Sequence, residues 1–123
     1  MEDEMDYKLP ESELRLIELI WEKGEINSTD LVKACEEAFR WKKSTTYTLL
    51  KRLSNKEMVQ NQEGNVSALI TRQEYETGKS RQFIEESFNS SLPRFLAAFS
   101  RSRALNKKDI DAIKKMIDQY EEE

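Results

Sequence analysis

The chain has 123 residues, 36% charged and 37% hydrophobic, with a net charge of −4, which suits one domain or a small domain with an appended helical arm rather than two full domains. It has no histidine, one cysteine and three isolated glycines, which removes histidine triads, histidine- or thiolate-based zinc sites, an intrachain disulfide, phosphate loops and dinucleotide fingerprints. No enzyme activity, cofactor or metal is expected, and the longest apolar run, FLAAF at 95–99, is far too short to cross a membrane.

In chain order, the acidic start MEDEMDYK lacks the apolar stretch of a leader, and a lone Cys35 fits a reducing cytoplasm. PESELRLIELIWEKG then places Leu14, Ile17, Ile20 and Trp21 at helical spacing, with Pro10 suited to a first turn and Gly24 as the stop. After the link Glu25-Ile26, Asn27 and Asp30 read as a capping box opening a second helix. Leu31, Val32, Cys35, Ala38 and Phe39 form its buried stripe, Cys35 being a small core residue. A third helix begins near Lys43 or Ser44 and runs to about Lys56. EMVQNQEGNVSALIT reads as two strands, roughly 58–62 and 66–71, joined at Glu63-Gly64-Asn65. Three helices and a hairpin make a winged helix-turn-helix over 9–72, in a mainly α fold with a small β-hairpin.

From 73 to 123 the pattern is helical throughout. Tyr75, Phe83, Ile84 and Phe88 mark one helix, with Gly78 a weak point; Leu92, Phe95, Leu96 and Phe99 mark the next. After an Asn106 cap, Ile110, Ile113, Ile117 and Tyr120 form a seam. These stripes follow a module that already has its own core, so a second copy of the chain is expected to cover them.

Residues 38–56 hold Arg40, Lys42, Lys43, Lys51, Arg52 and Lys56 and no acid, leaving −10 for the rest of the chain. At about 100° per residue, Thr46, Leu49, Leu50 and Leu53 face the core, while Ser44, Tyr47, Thr48, Lys51 and Asn55 lie opposite, flanked by Arg52. A solvated helix face mixes acids with bases, because opposite charges four residues apart and acids near the N-terminus stabilise a helix. A face of hydroxyls, an aromatic ring and cations forgoes that help and suits the major groove of double-stranded DNA. A protein-docking winged helix and a ligand-sensing regulator stand as alternatives.

Three stretches carry a resemblance: LPESELRLIELIWEKGEIN, STTYTLLKRLSNKEMV and SLPRFLAAFSRSRALNKKDIDAIKKMID. Together they resemble the penicillinase and methicillin-resistance repressor family, which also includes copper-responsive repressors. The resemblance implies a cytoplasmic homodimer that binds a palindromic operator, silences resistance genes, and dimerises through its C-terminal helices. It implies DNA contacts from Lys43, Ser44, Thr45, Tyr47 and Thr48, with Lys51 and Arg52 near phosphates; Lys42 completes the candidate set. It also implies a sensor-linked protease as partner, cutting a bond that here joins Ala98 to Phe99, with alanine in place of the family's asparagine. The paired C-terminal cysteines of the copper-responsive members have no counterpart in 102–123, and the wing tip carries Glu63 and Asn65 around Gly64 rather than a base. A wing with little grip on DNA is expected, approaching it through Asn61 and Asn65.

Overall fold

The computed structural model describes residues 5–120, so the first half of MEDEMDYK lies outside the described residues. Three helices come first: α1 at Glu11–Lys23, α2 at Ser28–Phe39 and α3 at Lys43–Asn55. Pro10 sits just ahead of the first turn of α1, where Glu11 and Glu13 complement the helix dipole. Gly24, at φ 74°, ends the helix in a conformation that favours glycine. Asn27 caps α2, but its side chain accepts from the Thr29 amide at 2.7 Å rather than closing the expected box at Asp30.

The wing has three strands instead of two. β1 (Ile26–Asn27), β2 (Val59–Gln62) and β3 (Asn65–Ala68) form an antiparallel sheet in the order β1-β3-β2. The expected link therefore holds a short strand, Ile26 pairing with Val66 and Asn27 with Asn65. The β2–β3 turn is tighter than expected: Gln62 already pairs with Asn65, and Glu63 and Gly64 make the turn at φ 53° and 89°. Two successive positive φ values suit the twist of a two-residue hairpin. Beyond Ala68 the Leu69 N–H still donates to Met58 O in the same register, and the Ile70 carbonyl then leaves the sheet to accept from the Trp21 indole at 2.8 Å.

The core of this winged helix-turn-helix joins Leu16, Ile17, Leu19 and Ile20 of α1, Leu31 and Cys35 of α2, and Leu49, Leu50 and Leu53 of α3 to Met58, Val59, Val66 and Ile70. Ala38, expected inside, is exposed. Burial pushes the Cys35 thiol up, against a smaller opposing effect of the Thr46 hydroxyl, which disfavours the reactive thiolate and fits a packing role. Glu13 is also buried, at 2% exposure, and its carboxylate pairs with Lys56 just past the end of α3.

α4 (Arg72–Ser87) runs without a break through Gly78. That glycine is buried under the Tyr7 ring, so it marks a close approach rather than a weak point. The packing divides between Gln82 and Phe83, and Tyr75 belongs to the core of the first unit.

The second unit contains the end of α4, then α5 (Leu92–Ser102) and α6 (Lys107–Gln119). Asn89 and Ser90, both at positive φ, turn the chain; Ser91 caps α5 and Asn106 caps α6. Phe83, Phe88 and Phe95 meet edge to face at 5.5–6.0 Å between centroids, and Phe99 lies 6.2 Å from Phe95. Among the described residues no helix is long and apolar enough to cross a membrane.

Candidate nucleic-acid interface

Helix α3 presents the candidate residues on the side opposite its buried face of Thr46, Leu49, Leu50 and Leu53. Lys42, Lys43, Ser44, Thr45, Thr48, Lys51 and Arg52 are all exposed. The first turn contains no acid, and Lys42 at the N-cap supplies no side-chain acceptor, so the leading amides keep their capacity to bind an anion. Among the described residues, Arg40, Lys42, Lys43, Lys51 and Arg52 make no ion pair, whereas Lys56 is neutralised by Glu13. Five of the six bases in 38–56 are thus available to an outside anion.

Tyr47 differs from its neighbours. It is half-buried against the core, and its hydroxyl donates to the Ser28 hydroxyl at 3.2 Å, tying α3 to the start of α2. The Lys43 ammonium lies 6.0 Å from the Tyr47 ring centroid, at the outer edge of a cation–π contact. Its ring therefore braces the helix-turn-helix as well as facing outward. Beside it, Tyr47, Leu50, Lys51, Ser54, Asn55 and Asn61 line a shallow cleft of about 400 Å³ between α3 and β2.

The wing amides are partly committed within the protein. Asn61 Oδ1 accepts from the Gly64 N–H at 3.0 Å, and Asn65 Nδ2 donates to Glu25 Oε2 at 2.9 Å. Glu63 in the turn and Glu25 bonded to Asn65 put negative charge on the wing.

In the second unit α5 and α6 contain no buried residue despite strongly one-sided apolar faces. Leu92 is 56% exposed, Phe99 41%, Ile117 65% and Tyr120 75%; Ile110 is also exposed, while Phe88, Phe95, Leu96 and Ile113 are half-buried. The Ala98–Phe99 bond lies inside α5, helical on both sides. Ser28, Glu13 and the segment around Tyr7 were not singled out by the sequence; each meets a partner on another element, 19 to 75 residues away, which leaves no local spacing signal.

The profile of the penicillinase repressor family matches residues 9–119. The penicillinase repressor of Bacillus licheniformis is 23% identical over 117 residues, covering 92% of this chain and 91% of that protein. Because the match runs from the residue before Pro10 to the last turn of α6, through winged helix and helical arm alike, the chain belongs to the penicillinase repressor family.

Proposed function

We propose that the protein is a homodimeric, sequence-specific transcriptional repressor of β-lactamase-type resistance genes, seated on a palindromic operator in the cytoplasm and released when the dimer is lost or cut. The observation that carries this reading is the outer face of α3, cationic and hydroxylated, free of acids and mounted on a helix-turn-helix.

Each protomer lays α3 in a major groove. Ser44, Thr45 and Thr48 address base edges, while Lys42, Lys43, Lys51 and Arg52 neutralise phosphates. The amides at the start of α3 add a phosphate contact. The acidic remainder does not cancel this patch, because a Debye length of roughly 8 Å at physiological salt screens distant charges, and those acids disfavour wrong orientations. Tyr47 holds α3 against Ser28 and offers its ring to the groove.

Two heads are needed for tight binding. The open apolar faces of α5 and α6, including Phe99, Ile110, Ile117 and Tyr120, join a second copy, so binding of one head makes binding of the other intramolecular. Splitting the dimer then releases DNA without altering α3. A sensor-linked protease acting at Ala98–Phe99 would achieve this by cutting within α5.

Selection of bound fragments from genomic DNA, followed by gel shifts at two salt concentrations, tests the reading. With about 6–10 phosphates neutralised per dimer, affinity falls by about 10³- to 10⁵-fold between 50 and 200 mM salt. Binding that ignores salt, or no recovered palindrome, would reject it.

A further inference from the structure

We propose that Ser28 is a positioning residue for DNA recognition: its amide holds the wing turn and its hydroxyl holds Tyr47, so that the wing sharpens operator discrimination from behind α3 without itself gripping DNA. This rests on the operator-binding reading above and adds to it the part that sets the pose of the recognition face.

Ser28 opens α2, is 9% exposed and is reached from two sides. On one side its N–H donates to the Gly64 carbonyl at 2.7 Å. That turn is closed in its own right by Asn61, whose Oδ1 accepts from the Gly64 N–H at 3.0 Å. The backbone on either side is paired too, because Asn27, just before Ser28, lies opposite Asn65, just after Gly64. On the other side the Ser28 hydroxyl accepts from the Tyr47 hydroxyl at 3.2 Å. Wing turn, start of α2 and recognition helix therefore meet at one serine, and every one of these contacts lies within the first unit.

The tether matters because of where it grips. A tyrosine side chain turns about two bonds, and on a helix it leans back toward the N-terminus. Anchored at one end by α3 and at the other by Ser28, the Tyr47 ring has both bonds fixed. It sits by the first turn of α3, with the Lys43 ammonium 6.0 Å from its centroid. Ser44, three residues before it, and Lys51, four residues after it, are its neighbours on the helix surface. A ring loose at its hydroxyl end would sweep this surface, whereas base readout needs groups held close to one geometry. The wing turn, with Glu63 in it, is poorly charged for a phosphate, but locked by Asn61 and bonded to Ser28 it is a firm anchor for that ring.

The test uses the full-length protein and measures the ratio of affinities for the operator fragment recovered by selection and for a random duplex of equal length at one salt concentration. Tyr47→Phe and Ser28→Ala, both close to isosteric, are each expected to lower that ratio about 2- to 10-fold, the scale of one hydrogen bond, with binding to random DNA unchanged. The double variant is expected to lose no more than the larger single loss, because both remove the same bond. Ser28→Thr, which keeps the hydroxyl, is expected to retain the wild-type ratio. Gly64→Ala strains the turn at φ 89° while its methyl makes only ordinary contact with Ser28. It is expected to lower the ratio in the wild-type protein and to add nothing in Tyr47→Phe. An unchanged ratio in folded Tyr47→Phe and Ser28→Ala would overturn the role of Ser28, and additive losses for Gly64→Ala and Tyr47→Phe would overturn its link to the wing. Wild-type protein that does not distinguish the two duplexes would overturn the operator-binding reading itself.

Discussion

Lys51 and Thr48 stand three residues apart on the same exposed face of α3, and the proposed reading gives them different tasks. Lys51→Ala is expected to weaken operator and random DNA alike and to lower the salt slope by about 1, since it removes one phosphate contact. Thr48→Ala is expected to spare random DNA and cost about 1–3 kcal/mol on the operator, the scale of a lost base contact. Gel shifts on both duplexes distinguish them, and equal losses would reject the assignment. Tyr47→Ala should lower both discrimination and thermal stability, because the ring is half-buried and its hydroxyl is bonded to Ser28. Lys56 belongs to another category. Lys56→Ala strands a buried Glu13 carboxylate, a loss of about 2–4 kcal/mol after allowing for the partly wet lysine, readable by urea denaturation. The sequence counted Lys56 in the acid-free basic stretch because a partner 43 residues away leaves no trace in local spacing.

Among the elements, those ruled by local chemistry were legible from sequence and those ruled by distant contact were not. Asn27 and Asn106 each cap the helix that follows, as short side chains next to an apolar period suggest. The α3 face was legible as well, since 13 residues at a fixed angle per residue determine which side each occupies. β1 was not: two residues show no alternation, and Ile26–Asn27 is a strand only because β3 lies beside it. Gly78 misled for the same reason, its meaning coming from Tyr7 across 71 positions. Gly78→Ala therefore inverts the usual helix preference. Alanine would add about 1 kcal/mol of helix propensity, but a methyl forced into the ring costs about 1–3 kcal/mol, and thermal unfolding should show net destabilisation. The contact between Asp6 and Gln82 also has a pH sense. The Gln82 side-chain donor, with the Lys8 backbone N–H, holds the Asp6 carboxyl below its ordinary value. A carboxyl lowered in the folded state contributes fully above its unfolded pKa and is lost as pH falls through the folded value, so amide protection over 75–82, corrected for the intrinsic exchange rate, should fall only in acid.

For the whole molecule, the decisive contrast is between a first unit with a closed core and a second whose two last helices bury nothing. Ile117→Asp puts a charge in the middle of the exposed α6 stripe. It is expected to yield monomers in sedimentation, with operator affinity reduced about 10²- to 10⁴-fold and the salt slope roughly halved. Folded, dimeric Ile117→Asp would move the interface elsewhere. The acidic balance of the chain also acts at this scale: on the proposed reading, the −10 outside the basic stretch disfavours approach to DNA by any side other than that of α3.

The Ala98–Phe99 bond sits in the middle of α5 with its backbone coiled into the helix ladder. Protease clefts grip extended chain, so a bond held this way is hidden until several turns melt. Were cutting the route of release, its tempo would follow the breathing of one short helix rather than enzyme supply. Under that route, copies locked together on an operator would be the last to be severed, and derepression would carry an intrinsic lag.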